Sequence, residues 1–137
     1  MGSYFSVAST WLDAWSDALQ LTDHFSLKEF ECKCGCGANG VNADLVRKLE
    51  SIRVLYDKPM RITSGLRCNF HNEGIGGSDS SAHLTGEAAD VSCETSLDRH
   101  RLTSLFLEEF NRVGIAKNFI HVDVSKTKTQ NVMWMYE

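Results

Sequence analysis

The chain has 137 residues, a length that suits one domain with one hydrophobic core. Hydrophobic residues make up 42% of it and charged residues 23%, a balance that argues against disorder and repeat architectures. The net charge is -4 and the Lys and Arg residues are scattered, which argues against a protein that binds nucleic acid through phosphate contacts. No window of the sequence is apolar enough to predict a membrane span.

The N-terminal segment, residues 1–22, carries apolar residues at helical spacing. This spacing predicts an amphipathic helix over residues 5–19 that packs on the core. A membrane-surface role is the alternative, but the polar face is not basic, as such helices tend to be. Asp13, Asp17 and the lack of a basic start argue against a secretory signal peptide, so we expect synthesis in the cytoplasm.

Capping residues mark the next two elements. Ser26 and Glu29 have the spacing of a capping box, which predicts a short helical turn. Asn42 is predicted to cap a helix over Ala43–Tyr56. The predicted buried face of that helix holds Leu45, Val46, Leu49, Ile52 and Leu55.

The middle of the chain alternates between predicted strand and loop. After Pro59, the only proline, residues 60–63 are predicted to form a short strand. Residues 64–82 form a polar, glycine-containing stretch, which predicts a long loop of the kind that often serves function. Residues 88–92 are predicted to form the next strand.

A second capping box opens the last predicted helix. Thr95 and Asp98 supply it, and the helix is expected over residues 97–113, with Gly114 at its C-terminal cap. Residues 119–124 alternate and are β-branched, which predicts a strand, and residues 132–136 are predicted to form the last one.

No internal repeat or linker divides the sequence. We therefore predict an α+β fold, a small antiparallel sheet with flanking helices. Residues 23–137 are expected to form this domain, preceded by the helix of residues 1–22.

The five cysteines leave three interpretations open. They are Cys32, Cys34, Cys36, Cys68 and Cys93. An odd count without a secretion signal argues against a disulfide framework. The usual structural zinc spacing is a repeated CxxC, which this CxCxC run does not match. Reduced thiols are the favoured interpretation, and a disulfide-forming pair and a second metal site are the alternatives.

Three other residues have the types that zinc prefers. His83 ends the glycine-containing stretch, Asp90 lies in a predicted strand and His121 lies in a later one. Two imidazoles and one carboxylate suit zinc and leave a fourth position for water. Zinc lowers the pKa of such a water towards about 7 and polarises a carbonyl oxygen. Each residue alone is weak evidence, because a strand histidine is usually structural.

The sequence around these residues resembles the M15 family of zinc peptidases. SAHLTGEAAD at residues 81–90 matches the family motif SxHxxGxAxD. ITSGLR at residues 62–67 resembles its SGYR segment, with Leu66 in place of the usual tyrosine. IHVD at residues 120–123 resembles its last metal-binding strand.

Two further segments extend the likeness to roughly residues 23–125. Asn72 and the pair Gly76–Gly77 resemble the family's N-x-x-x-G-G stretch. Residues 25–36 resemble the cysteine-bearing opening of small phage and prophage members. The resemblance implies a hedgehog/DD-peptidase-like fold.

The resemblance also implies roles for single residues. His83, Asp90 and His121 match the ligands of one Zn²⁺ ion. Arg67 matches the arginine that binds the scissile carbonyl and its oxyanion, which suits a fixed guanidinium. Ser81 matches a serine that contacts substrate, and it is equally suited to holding its own loop.

Asn118 departs from the family pattern. Many members have Glu or Asp there as the general base, three residues before the last histidine, and asparagine cannot accept and return a proton in this way. Asp123 and Glu87 are the nearest alternatives, although Asp123 is better suited to orienting His121. His71, near Arg67 in sequence, is a further candidate acid or base. A local shift in the alignment and loss of activity are the remaining explanations.

The resemblance implies a monomeric zinc metallopeptidase that hydrolyses stem peptides of bacterial peptidoglycan. A D-Ala-D-Ala carboxypeptidase and a peptidoglycan endopeptidase are both compatible with it. Without a signal peptide, the expected setting is a phage or prophage lysis enzyme, released by a holin or carried in a phage particle. The alternatives are a catalytically impaired wall-binding module that contains zinc and a phage structural module docked through Trp11 and Trp15.

Overall fold

The structure, a computed structural model, describes residues 4–5 and 19–137. Most of the helix predicted over residues 5–19 lies outside the described residues and stays a prediction. Its first residue, Phe5, is in a strand instead. Strand β1 (Tyr4–Phe5) pairs antiparallel with β2 (Val41–Asn42).

Two predicted capping sites form as expected. A 3₁₀ turn over Leu27–Phe30 follows Ser26, whose backbone N–H donates to the Glu29 carboxylate at 2.7 Å. Helix α1 (Ala43–Tyr56) follows Asn42, whose side-chain oxygen accepts the first free backbone N–H groups of the helix. Both caps satisfy donors that the helical ladder leaves without partners.

The buried face of α1 differs from the prediction at its last position. Leu55 is 61% exposed, and Tyr56 is buried instead. Tyr56 lies four residues after Ile52 and therefore on the same face of the helix. The buried face of α1 therefore extends to the end of the helix.

The predicted loop over residues 64–82 contains a short helix. Strand β3 (Ile62–Ser64) lies slightly later than predicted, and helix α2 (Asn69–Gly74) follows it. Cys68 caps α2 by accepting the backbone N–H of His71 at 3.4 Å. This helix escaped prediction because six residues give no apolar periodicity and cysteine is an unusual cap.

The end of the next helix was predicted wrongly. Helix α3 (Ser96–Glu109) begins after Thr95, as expected, but it stops before the predicted cap. Gly114 instead lies in strand β5 (Arg112–Ile115). The apolar residues Phe106, Phe110 and Val113 keep helical spacing across the boundary, so periodicity alone could not locate it.

In the described part of the chain, five strands form the main sheet. Strand β4 is Ala88–Ser92, β6 is Phe119–Asp123 and β7 is Val132–Met135. The strands lie in the order β3-β4-β6-β5-β7. Neighbouring strands are antiparallel except β5 and β7, which are parallel. The predicted α+β fold is confirmed, but the sheet is mixed rather than antiparallel throughout, because the chain passes from β6 across to the far side of β5.

Helices α1 and α3 pack together, and α3 contacts β5 and β6. The core on this side contains Leu49, Ile52, Leu102, Phe106, Val91, Ile120 and Val122. Strand side chains alternate between faces, so the residues between these point away from the helices. Asp90, His121 and Asp123 therefore share the opposite face of the sheet. Among the described residues, no helix has the length and apolar character that crossing a bilayer requires.

Candidate metal centre

Two neighbouring strands and one turn bring together His83, Asp90 and His121. Asp90 on β4 lies directly opposite His121 on β6. His83 lies in a 3₁₀ turn over Ala82–Thr85, just before β4. One donor atom from each residue lies within 4.8 Å of the other two, and all three side chains are buried. The sequence predicted this grouping, and its role in binding metal stays a prediction.

The ring of His83 is held in one orientation. Its Nδ1–H donates to the carbonyl oxygen of Gly65 at 2.7 Å. Its Nε2 faces Asp90 Oδ1 at 3.2 Å. Because a carbonyl oxygen only accepts hydrogen bonds, Nδ1 carries a proton, and Nε2 is the nitrogen that faces Asp90.

The ring of His121 is held by a carboxylate behind it. Its Nδ1 lies 3.0 Å from Asp90 Oδ1, and its Nε2 lies 2.7 Å from Asp123 Oδ2. The Arg112 Nε donates to the other oxygen of Asp123 at 2.8 Å. This chain of contacts fixes the ring so that Nδ1 points towards Asp90, an arrangement typical of metal-bound histidines.

The donor set fits a zinc ion. Zinc bound to nitrogen and oxygen at about 2.0–2.1 Å in a tetrahedron places its donor atoms about 3.3 Å apart. The measured contacts from Asp90 Oδ1 to His83 and His121 are 3.2 and 3.0 Å. Nδ1 of His83 and Nε2 of His121 already have hydrogen-bond partners. The ring nitrogens left for a metal are therefore the two that face Asp90 Oδ1.

The pKa shifts in this cluster favour an ionised Asp90 and a protonated His121. Burial acts to raise the pKa of Asp90, but hydrogen bonds with His121 and His83 outweigh it and hold that pKa well below its ordinary value. Burial acts to lower the pKa of His121, but hydrogen bonds with Asp123 and Asp90 outweigh it and raise that pKa. A metal must displace a proton from His121, so metal binding is expected to weaken as pH falls.

The cluster lines a cleft of about 450 Å³. Arg67 lines the same cleft and is held at three points. Its Nε donates to Ser64 Oγ at 3.0 Å, its Nη1 to Asn72 Oδ1 at 3.2 Å and its Nη2 to Asp90 Oδ2 at 3.4 Å. The side chain is 12% exposed. These contacts fix a positive charge beside the candidate metal ligands.

Ser81 also lines the cleft and holds its own turn. Its Oγ accepts the backbone N–H of His83 at 3.2 Å, which caps the 3₁₀ turn. Ser81 therefore holds its own turn, which is one of the two roles that the sequence suggested for it. Its predicted contact with substrate stays a prediction.

Asn118, Glu87 and His71, the positions considered for the general base, all lie outside the lining of the cleft. Asn118 is exposed in the turn between β5 and β6 and does not line the cleft. Glu87 accepts the Thr85 hydroxyl at 2.6 Å and also lies outside the cleft lining. His71 lies against Cys32, with Nδ1 3.3 Å from Sγ, rather than in the cleft. This position does not support proton transfer by His71 in the cleft.

Asp123 does line the cleft, but both of its oxygens are engaged. Oδ2 contacts His121, and Oδ1 accepts Arg112 and the backbone N–H of Ser125. Burial acts to raise the pKa of Asp123, but its contact with His121 outweighs it and lowers that pKa. The geometry agrees with the prediction that Asp123 orients His121.

The sequence did not point to one wall of the cleft. Trp134 and Tyr136 line it, and the Trp134 ring centroid lies 5.3 Å from that of His121. The guanidinium of Arg112 lies 5.0 Å from the Trp134 ring centroid. A Cβ on Gly114 would lie 2.6 Å from the Trp134 ring, so this packing needs glycine. The available signal was the alternation of Trp134 and Tyr136 in the last predicted strand, residues 132–136.

Replacing Asp123 with asparagine is expected to weaken zinc binding about 10- to 100-fold. The substitution removes the charge that holds His121 and leaves Arg112 without its carboxylate partner. Competition titration against a chromophoric chelator measures the affinity. Asp57→Asn, at an exposed left-handed position that asparagine tolerates, is the control. Equal affinities for the Asp123→Asn variant and the wild type would exclude this role.

A buried His–Asp–His cluster beside a fixed arginine is an arrangement that metal-dependent hydrolases use. The family model described as Peptidase M15 matches residues 23–123, and the chain belongs to this family of zinc-dependent metallopeptidases. No curated protein matches the chain.

Proposed function

We propose that the chain hydrolyses peptide bonds in the stem peptides of bacterial peptidoglycan and serves a phage or prophage in cell-wall lysis. The observation that carries the proposal is the His83–Asp90–His121 cluster, which lines an open cleft next to Arg67 in a chain of the M15 family. The resemblance to M15 enzymes that cut wall peptides supports this choice of substrate.

The proposed chemistry divides between a metal and the side chains of the cleft. When bound to His83, Asp90 and His121, zinc supplies Lewis acidity and makes water nucleophilic at neutral pH. Arg67 places its guanidinium where negative charge develops on the carbonyl oxygen. Because Asp90 and two neutral acceptors hold Arg67, it needs little reorganisation when that charge appears.

Tyr136 is a second candidate donor in the lining of the cleft. Burial raises the pKa of its hydroxyl, and the negative charge of Asp90 adds to the effect. The hydroxyl therefore remains protonated at neutral pH and is available to donate a hydrogen bond to a substrate oxygen. The adjacent Trp134 supplies an apolar surface for a small side chain such as alanine.

The charge of the cleft supports an anionic peptide as the substrate. Arg67, Arg112 and Lys128 contribute three positive charges to its lining, and Asp90 and Asp123, which pair with the two arginines, contribute two negative ones. Stem peptides carry free carboxylates, which such a lining attracts. Lys128, half-buried and 3.3 Å from Ser80 Oγ, is the positive charge in excess, and in this proposal it meets the incoming carboxylate.

Purified protein loaded with zinc should release products from isolated peptidoglycan. Mass spectrometry of the soluble fraction would distinguish free D-Ala, which indicates a carboxypeptidase, from new amino termini, which indicate an endopeptidase. Removing zinc with a chelator should stop the release, and adding zinc back should restore it. Absence of product from several wall chemotypes, with zinc demonstrated at the His83–Asp90–His121 site, would refute the proposed activity.

A lytic role predicts how the protein acts in cells. Expression in bacteria is expected to leave the culture intact until a holin or another agent permeabilises the membrane. Turbidity after permeabilisation measures lysis. Permeabilised cells that stay turbid, although isolated wall is digested, would contradict the lytic setting and leave the peptidase activity standing.

One observation favours a wall-binding module without catalysis as the second candidate. Within the described part of the chain, Asp90 and Asp123 are the carboxylates that line the cleft, and both are paired. Neither is free to take a proton from water. Calorimetry with defined wall peptides would identify such a module by binding without product.

A further inference from the structure

Four cysteines meet at a second place in the fold. Cys32, Cys34 and Cys36 follow the 3₁₀ turn of Leu27–Phe30, and Cys68 caps helix α2. Their sulfur atoms all lie within 4.8 Å of one another. The Sγ–Sγ distances are 3.5 Å from Cys32 to Cys34 and 3.7 Å from Cys34 to Cys68.

These distances match a metal site better than a disulfide. All four residues are free thiols, whereas sulfur atoms in a disulfide lie about 2.05 Å apart. Zinc bound to four thiolates at about 2.3 Å in a tetrahedron places the sulfur atoms about 3.8 Å apart. Four cysteines with this separation are the donor set of a closed structural zinc site.

The backbone around the cysteines is arranged for negatively charged sulfur. The N–H of Cys68 points to Cys32 Sγ at 3.5 Å, and that of His71 points to Cys68 Sγ at 3.4 Å. The N–H of Ala38 points to Cys36 Sγ at 3.4 Å. Donors of this kind stabilise thiolates in the same way that they stabilise other anions.

The loop that carries three of these cysteines is closed on itself. The N–H of Cys32 donates to the carbonyl oxygen of Ala38 at 2.9 Å. Gly35, between Cys34 and Cys36, has a φ of +88°, which side chains rarely adopt. This turn lets cysteines two residues apart direct their sulfur atoms to one point.

We propose that Cys32, Cys34, Cys36 and Cys68 bind a second zinc ion, which joins the loop of residues 32–38 to the start of α2. With this site, the protein would bind two zinc ions rather than the one expected from the sequence. None of its ligands lines the cleft, so its metal content can be tested separately from the proposed peptidase activity.

The second zinc ion would act on the catalytic cleft through Arg67. Cys68 directly follows Arg67 in the chain, and the N–H of the preceding Leu66 donates to the carbonyl oxygen of Phe30 at 2.9 Å. A metal that fixes Cys68 to the 32–38 loop therefore also limits the motion of the Arg67 backbone. His71, 3.3 Å from Cys32 Sγ, would donate its Nδ1–H to the bound thiolate.

Metal analysis of the full chain, purified in the presence of reductant, tests the proposal. The wild type should contain two zinc ions per chain by plasma mass spectrometry. Cys34→Ser and His121→Ala should each contain one, and the double variant none. Cys34 is exposed, so its substitution leaves the core intact. Cys93→Ala removes the fifth, buried cysteine and should keep two zinc ions.

Cobalt substitution assigns the metal to its ligands. In the His121→Ala variant, bound Co²⁺ should show sulfur-to-cobalt charge transfer in the near ultraviolet and the strong visible bands of tetrahedral coordination. Cys34→Ser should lack the charge-transfer bands. A wild-type zinc content that Cys34→Ser leaves unchanged would overturn the proposal. So would a disulfide among the four cysteines, found by alkylation and intact mass in protein purified without added oxidant.

Discussion

Replacing His83 with alanine is expected to reduce peptidase activity by more than about 10³-fold, to the level of background hydrolysis. The substitution removes the Nε2 donor that converges with Asp90 and His121 and leaves the carbonyl oxygen of Gly65 without its hydrogen bond. Two donors do not hold zinc as three do, so the metal is expected to be lost together with activity. Product release from peptidoglycan and the zinc content of the same sample are the two measurements.

His100→Ala is the matched control for this experiment. His100 is exposed on α3, so the same change of residue type is made outside the cleft. Its activity and zinc content should equal those of the wild type. Circular dichroism should show that the His83→Ala variant is folded. A folded His83→Ala variant with full activity would exclude His83 from the site.

The features predicted well from the sequence are those set by neighbouring residues. Asn42 and Thr95 cap helices because each supplies an oxygen to N–H groups two or three residues later. Strand alternation separates Ile120 from His121 and places Asp123 on the same face as His121. The pairing of Asp90 with His121 across two strands is not local, and the family motifs were needed to predict it.

Other features depend on which strands become neighbours. Trp134 reaches the cleft because β7 pairs with β5, where Gly114 leaves room for its ring. No local pattern specifies that pairing. The predicted helix extended to Val113, inside β5, and this concealed the strand that Trp134 packs against. The aromatic wall formed by Trp134 and Tyr136 could therefore be recognised only from the fold.

For the same reason, the sequence left a second metal site at the cysteines as one alternative to the favoured reduced thiols. Cys34 and Cys68 are far apart in sequence and meet because β3 and the 3₁₀ turn of Leu27–Phe30 lie side by side. The spacing of Cys32, Cys34 and Cys36 alone did not match a known zinc pattern. A long-range contact supplies the fourth sulfur, and spacing within one segment cannot reveal it.

Arg67→Lys is expected to lower kcat by about 10²- to 10³-fold with a small change in KM. Lysine keeps the positive charge but has one nitrogen, whereas Arg67 contacts Ser64, Asn72 and Asp90 through three. The replacement cannot make these contacts and also face a substrate oxygen. Charge develops on that oxygen in the transition state, so the loss should fall on kcat rather than on KM.

The zinc content of the Arg67→Lys variant distinguishes an effect on catalysis from an effect on metal binding. Zinc content should stay at the wild-type value, because the three candidate ligands are unchanged and a cation still neighbours Asp90. Arg47→Lys, on the exposed side of α1, is the control and should retain full activity. A raised KM with unchanged kcat would show that Arg67 binds the ground state of the substrate. Loss of zinc would instead make Arg67 a positioning residue for Asp90, since its Nη2 is the group that contacts Asp90 Oδ2.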